Sequence, residues 1–267
     1  MTSRPGPKIL LVGKSGAGKT YSLRTLIAAG IKPYIIFTEQ GSEALGDLPS
    51  DSYAQRYIPA APLGFAHLID RAKKVSLLSY ESLTKLPPVM KEKYAQFIDV
   101  ATCCAKFVDD NGVAHGDVTE WKTDRALVID NLSGLSRMAM QLMVGAKPTK
   151  AQNEYGVAMD QIEAIIYQWC NIRCWFVLIA HVEREIDEIS GGSENMVQTL
   201  GRKLAPKLPS MFSDVLLARK EGTTFTWSTA AATYELKNRY WPLNDKMPPT
   251  FQTGYDEWIK RGGNPKE

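Results

Sequence analysis

The chain has 267 residues, 32 Lys plus Arg against 29 Asp plus Glu, and 44% apolar residues, which excludes intrinsic disorder and gives enough length for a full core. A net charge of +3 is too small to announce nucleic acid or an anionic membrane, so any such partner has to be argued from local charge. The longest apolar stretches, such as Cys174 to Ala180, fall far short of the roughly 20 residues of a membrane-spanning helix, and no membrane partner is expected.

The N-terminus, MTSRPGPK, enters KILLV with no apolar signal core, so a cytoplasmic location is expected. No long Gly, Ser or Pro tract divides the chain, which favours one elaborated domain over residues 1–267. Lys8 to Val12 reads as a strand, and after a Gly-rich turn TYSLRTLIAAG carries apolar residues at helical spacing up to Gly30. A second β-branched and aromatic run, Tyr34 to Thr38, completes a βαβ unit with a parallel pair and predicts an α/β sheet.

Residues 41–124 read as an insertion on that core. It has helical stretches around Phe65 to Leu78 and Val89 to Phe107, then FVDDNGVAHGDV with a hairpin turn at Asn111 and Gly112. RALVID (Arg125 to Asp130) and CWFVLIAH (Cys174 to His181) are continuous apolar runs, as expected of central strands covered on both faces, with Tyr155 to Cys170 as the crossover helix. Their carboxyl ends point to one edge. Toward the C-terminus VLLARK, TFTWS and TYELKNRYW read as strands, and DEWIKR as a short amphipathic segment. The four cysteines, Cys103, Cys104, Cys170 and Cys174, lack the spacing and His partners of a zinc site and read as buried, reduced thiols.

Chemistry concentrates in GKSGAGKT, Gly13 to Thr20, which fits GxxxxGK[ST] directly after a strand and directly before a helix. Gly13, Lys14, Ser15, Gly16, Ala17, Gly18, Lys19 and Thr20 are expected to cradle the phosphates of ATP. The glycines let backbone amides turn inward, the helix start adds its dipole, Lys19 reaches the β and γ phosphates, and the Thr20 hydroxyl ligates Mg²⁺. Lys14 adds a second cation, catalytic or simply a solvated loop charge. ALVID ends at Asp130, the expected second holder of Mg²⁺.

Asn131 follows it where some ATPases carry Glu, so the water-activating carboxylate must come from elsewhere. Glu39, at the carboxyl end of the second strand, is the candidate; the plainer reading is a cap on the following turn. His181 ends its strand on the same edge and is a candidate γ-phosphate sensor, or a satisfied buried histidine. Lys237 and Arg239 stand two apart on a predicted strand and would project from one face. Surface salt bridges are the default for such a pair, but a cation inserted at a neighbour's γ-phosphate would make it catalytic in a homo-oligomer with ATP at the subunit interface.

In this order, GKSGAGKT, Glu39, VID at 128–130, IAH at 179–181 and LKNR at 236–239 resemble the RecA and DnaB branch of P-loop ATPases. The KNR triplet is similar to the trans-acting Lys and Arg of that branch. LGRKLAPKLPSMFSDVLLARK, MPPTF and DEW look more narrowly like small bacteriophage RecA-like ATPases linked to single-strand annealing and recombination. The resemblance implies a RecA-like P-loop NTPase core: a mainly parallel twisted sheet in the order 5-1-4-3-2, flanked by helices, with C-terminal antiparallel strands. It also implies an ATP hydrolase acting on single-stranded DNA, gripped by loops after the strands ending at Asp130 and His181.

Gly134 to Lys150 offers Arg137, Lys147 and Lys150 and no acid. His181 to Lys203 has five acids against three bases and a mobile Gly191–Gly192 pair, with Arg202, Lys203 and Lys207 as alternative contacts. The competing readings are a P-loop kinase of a small acceptor, with 41–124 as its lid, and a nucleotide-switched scaffold for a replication, recombination or single-strand-binding protein.

Overall fold

The computed structural model describes residues 4–85, 91–186, 193–201, 203–231 and 233–267. In chain order the elements are β1 (Lys8–Gly13), α1 (Lys19–Ser22), α2 (Arg24–Ala28), β2 (Lys32–Phe37), β3 (Ala54–Tyr57), α3 (Phe65–Ser76), α4 (Tyr80–Lys85), α5 (Gln96–Ala105), β4 (Phe107–Val108) and β5 (Ala114–Gly116). There follow β6 (Arg125–Asp130), α6 (Leu132–Val144), α7 (Gln152–Asn171), β7 (Trp175–Ala180), β8 (Val182–Ile186), β9 (Ser193–Val197), α8 (Leu208–Met211), β10 (Asp214–Glu221), β11 (Thr224–Ser228) and α9 (Gln252–Lys260).

Among the described residues seven strands form the main sheet, in the order β11-β10-β1-β7-β6-β2-β3. Every pairing is parallel except β10 with β11. Counting β1, β2, β6, β7 and β10 as core strands one to five, the order is the 5-1-4-3-2 of a RecA-like core. The continuous apolar runs are what a sheet covered on both faces requires, because successive side chains go to opposite layers. Leu10, Ile36, Ile129 and Leu178 pack with α5, α6 and α7, whereas Ile9, Ile35, Val128 and Val177 pack with α2 and α9.

The structure refines the sequence reading at four points. First, β1 and β2 are parallel as expected and, in keeping with the order 5-1-4-3-2, are separated by β7 and β6. A βαβ unit sets direction, and the two most apolar runs take the central places, where both faces are buried. Second, the 41–124 insertion contributes to the sheet: β3 pairs with β2 as an edge strand. The hairpin turn covers its free side, with Tyr57 N donating to the Asp110 carboxylate (3.1 Å) and Asp110 N to Gln55 O (2.9 Å), which blunts an exposed edge. In that insertion the helix expected from Val89 starts at Gln96, and Val89 itself lies outside the described residues.

Third, the segment after His181 contains an antiparallel pair, β8 with β9, in place of an open loop; Gly191 and Gly192 lie outside the described residues. Fourth, TYELKNRYW is not a strand. Its ladder contact is a single antiparallel bridge, Val215 to Lys237. Beyond it the buried Asp214 carboxylate accepts the N–H groups of Arg239 (2.6 Å) and Tyr240 (2.8 Å), bending the chain so that Tyr240 and Trp241 enter the core. The four cysteines are free, and burial pushes the Cys104 and Cys170 thiols up to about 12 and that of Cys174 to about 11.

Candidate nucleotide site

The carboxyl ends of β1, β2, β6 and β7 bring the candidate residues to one edge of the sheet. The phosphate loop follows β1, with Gly16 and Gly18 at φ of 73° and 78°, backbone that a side chain at Cβ disfavours. Lys19 is 6% exposed, and its ammonium donates to the carbonyls of Gly13 (2.7 Å) and Lys14 (2.8 Å). Burial lowers it from its ordinary 10.5 to about 8, partly opposed by the charge of Asp130. The Lys14 side chain is exposed.

Thr20 Oγ1 donates to Asp130 Oδ2 at 2.6 Å. Asp130 is 7% exposed; burial holds its carboxyl above the usual carboxylate range, against the Thr20 hydrogen bond and the Lys19 charge. A hydroxyl and a carboxylate touching beside a phosphate loop are hard oxygen donors, and they fit Mg²⁺.

Glu39 and His181 meet through a residue that sequence reasoning noticed only for what it was not. Asn131 Nδ2 donates to Glu39 Oε2 at 2.9 Å and lies 3.3 Å from His181 Nε2, while Asn131 Oδ1 accepts the Gly134 N–H at 3.1 Å and caps α6. His181 Nδ1 is 3.5 Å from Lys19 Nζ. Burial first, then the Lys19 charge, lowers the His181 pKa and favours neutral imidazole.

These groups line a cavity of about 920 Å³ that also reaches Tyr21, Ala44, Phe225 and Pro249. Phe225 sits at the tip of the β10–β11 hairpin, close enough that a Cβ on Gly18 would lie 2.9 Å from its ring. Sequence reasoning missed it, because a single aromatic in TFTWS carries no motif; a large aromatic left 39% exposed beside the loop is a structural signal.

Lys237 and Arg239 are not in this cavity. The Lys237 ammonium donates to Phe212 O (2.7 Å) and Ser210 O (3.4 Å), and Arg239 is exposed beside Tyr240, Asp256 and Glu257. Asp214, which anchors this segment, pairs with Ile9, four residues before Gly13 on β1, or about 13 Å down the strand. The two cations therefore do not project from one strand face, and neither faces the nucleotide cavity of its own chain.

The proposed DNA contacts also separate. The segment after Asp130 is the helix α6, not a loop. Exposed Arg137 lines a groove of about 420 Å³ with Arg71, Ser133, Lys147, Lys150 and Gln198. Lys147 is paired with Glu154 at 2.8 Å, both largely buried, so its charge is already matched. Lys150 stands 6.0 Å over the Tyr155 ring. Lys203 is exposed and does not line the groove, Lys207 pairs with Glu163 at 2.7 Å, and Arg202 lies outside the described residues.

A family model described as an AAA domain matches residues 5–240. No curated protein matches the sequence. Among solved structures, an ATPase from the type III secretion system of pathogenic bacteria is similar over 81% of this chain and 53% of that one, at 11% identity and a TM-score of 0.42; the chain thus spans about half of that protein's length. The RadB recombinase is similar over 91% of this chain and 86% of that one, at 15% identity and a TM-score of 0.37.

Proposed function

The chain belongs to the AAA domain family of P-loop ATPases, and from that premise we propose that it hydrolyses ATP with Mg²⁺ as an oligomer acting on single-stranded DNA. The observation that supports this best is the convergence of Lys19, Thr20, Asp130, Glu39 and His181 on one cavity. In this reading Lys19 leaves its two carbonyls for the β and γ phosphates, and the loop amides take up the remaining oxygens. Thr20 and Asp130 would hold Mg²⁺, which supplies charge neutralisation at the phosphates. Glu39 orients the attacking water and accepts its proton, while His181 contacts the γ-phosphate. Phe225 offers a face on which the base can stack.

Lys237 and Arg239 would act across a subunit boundary, a reading supported by neither of them lining the cavity of its own chain. Mixing Lys19→Ala and Arg239→Ala proteins tests this. A 1:1 mixture is expected to regain turnover, because about a quarter of random interfaces join an intact loop to an intact Arg239. A mixture as inactive as its components would remove the trans role.

Arg137 and Lys150, which line the groove outside the Lys147–Glu154 pair along with Arg71, are the favoured DNA contacts in this reading. With a fluorescent single-stranded oligonucleotide, the Arg137→Glu/Lys150→Glu protein is expected to bind at least about tenfold more weakly. Its log-affinity against log-salt slope should be shallower by about 1.4, two phosphate contacts at about 0.7 each. Absence of salt-sensitive binding by the unaltered chain, with and without ATP, would sink the DNA claim.

A further inference from the structure

We propose that Asn131 is a positioning residue that aims the hydrolytic carboxylate and the phosphate sensor with one side-chain amide. The inference rests on the ATPase reading above and assigns it a residue that acts through the two side chains it holds.

The hydrogen-bond geometry leaves little freedom. A backbone N–H can only donate, so the Asn131 atom 3.1 Å from Gly134 N must be Oδ1, and the other terminal atom must be Nδ2 with its two protons. One of these goes to Glu39 Oε2 at 2.9 Å, an acceptor when ionised. The second meets His181 Nε2 at 3.3 Å, which makes Nε2 the acceptor and places the ring proton on Nδ1. Nδ1 lies 3.5 Å from the Lys19 ammonium, a longer contact than that of Asn131 at Nε2, and this ammonium donates to the Gly13 carbonyl at 2.7 Å.

A continuous path of contacts follows: Glu39 carboxylate, Asn131 amide, His181 imidazole, Lys19 ammonium, Gly13 carbonyl. Its members come from β2, β6, β7 and β1, four strands whose ends meet at this edge. Asn131 is 5% exposed, and both of its Nδ2 protons have partners here, so its amide cannot rotate without losing the cap and both donations. Its backbone is held as well: Thr38 Oγ1 donates to Asn131 O and accepts from Asn131 N, each at 2.9 Å. A γ-phosphate drawing on His181 would therefore be felt at Glu39 through Asn131.

The plainer alternative is that Asn131 does nothing but cap α6. Asn131→Ser and Asn131→Asp separate the two, because both keep an oxygen for Gly134 N–H and neither carries the amide donor. Both variants are expected to unfold within a few degrees of the unaltered protein and to bind ATP within about threefold, while kcat falls at least thirtyfold. A Ser variant that turns over within threefold of the unaltered chain would overturn the proposal.

A second readout does not depend on activity. Long-range ¹H–¹⁵N spectra of the imidazoles, with only three histidines in the chain and His181 assigned by its loss in His181→Gln, are expected to show the neutral Nδ1–H form. They should also show a changed His181 pattern in Asn131→Ser. An Nε2–H tautomer in the unaltered protein, or no change in the Ser variant, overturns the proposal. Should the unaltered chain show no hydrolysis at all, the ATPase reading falls and the spectra alone decide this one.

Discussion

Lys19→Ala is expected to lower the affinity for MgATP by at least about a thousandfold, to below detection in a fluorescent-nucleotide titration, because it removes the one buried ammonium in the phosphate loop and its charge-assisted bonds. The same change should not harm the empty protein. A buried lysine lowered from 10.5 to about 8 costs on the order of 3 kcal/mol while it is protonated, so removing it is neutral or stabilising without ligand.

The sign of the pH dependence follows. Between about pH 8 and 10.5 the unfolded chain holds the Lys19 proton and the folded chain has released it, so the contribution of Lys19 to stability rises with pH across that window. The difference in unfolding free energy between the two proteins, measured by urea titration at pH 7.5 and pH 10, should therefore shift in favour of the unaltered chain at the higher pH. An alanine variant that binds ATP normally would remove Lys19 from the site. One that unfolds spontaneously at pH 7.5 would show that the ammonium supports the fold.

Glu39→Gln should leave MgATP affinity within about threefold and reduce kcat by about 10²- to 10⁴-fold, the usual worth of a general base. The substitution keeps the volume and one oxygen for the Asn131 Nδ2 donation, so neither folding nor the path to His181 is expected to change. What it loses is the negative charge and the capacity to accept a proton from water. Phosphate release under saturating ATP measures this directly. Hydrolysis by the Gln variant at the rate of the unaltered protein would show that Glu39 is a turn cap and that the base lies elsewhere. Paired with Lys19→Ala, the two variants separate binding from chemistry, since one is expected to abolish the complex and the other to trap it.

The five core strands and several helices could be read from local pattern, as could the phosphate loop. Where pattern failed, a distant group had intervened. LKNR looked like strand because its alternation is real, yet the Asp214 carboxylate, 25 residues away from Arg239, captures the backbone and ends the pairing. Lys147 looked like a free cation because Gly134 to Lys150 contains no acid. Its partner Glu154 lies seven residues further on, just past the stretch over which the charges were counted. β3 had too short and mixed a pattern to be seen, and it forms because β2 offers an unpaired edge.

GKSGAGKT determined its own geometry, since a turn of glycines between a strand and a helix is encoded in consecutive φ and ψ angles and needs no distant contact to form. The α/β class and the carboxyl-edge location of Glu39, Asp130 and His181 were equally present in the linear chain, because direction follows from βαβ connectivity. Strand adjacency decided the rest. Asn131 meets Glu39 across 92 residues and His181 across 50 only because β6 lies between β2 and β7. Phe225 reaches Gly18 only because β10 pairs with β1 and turns back. No periodicity records which strand ends meet, since that is settled by how buried faces are shared across the whole sheet.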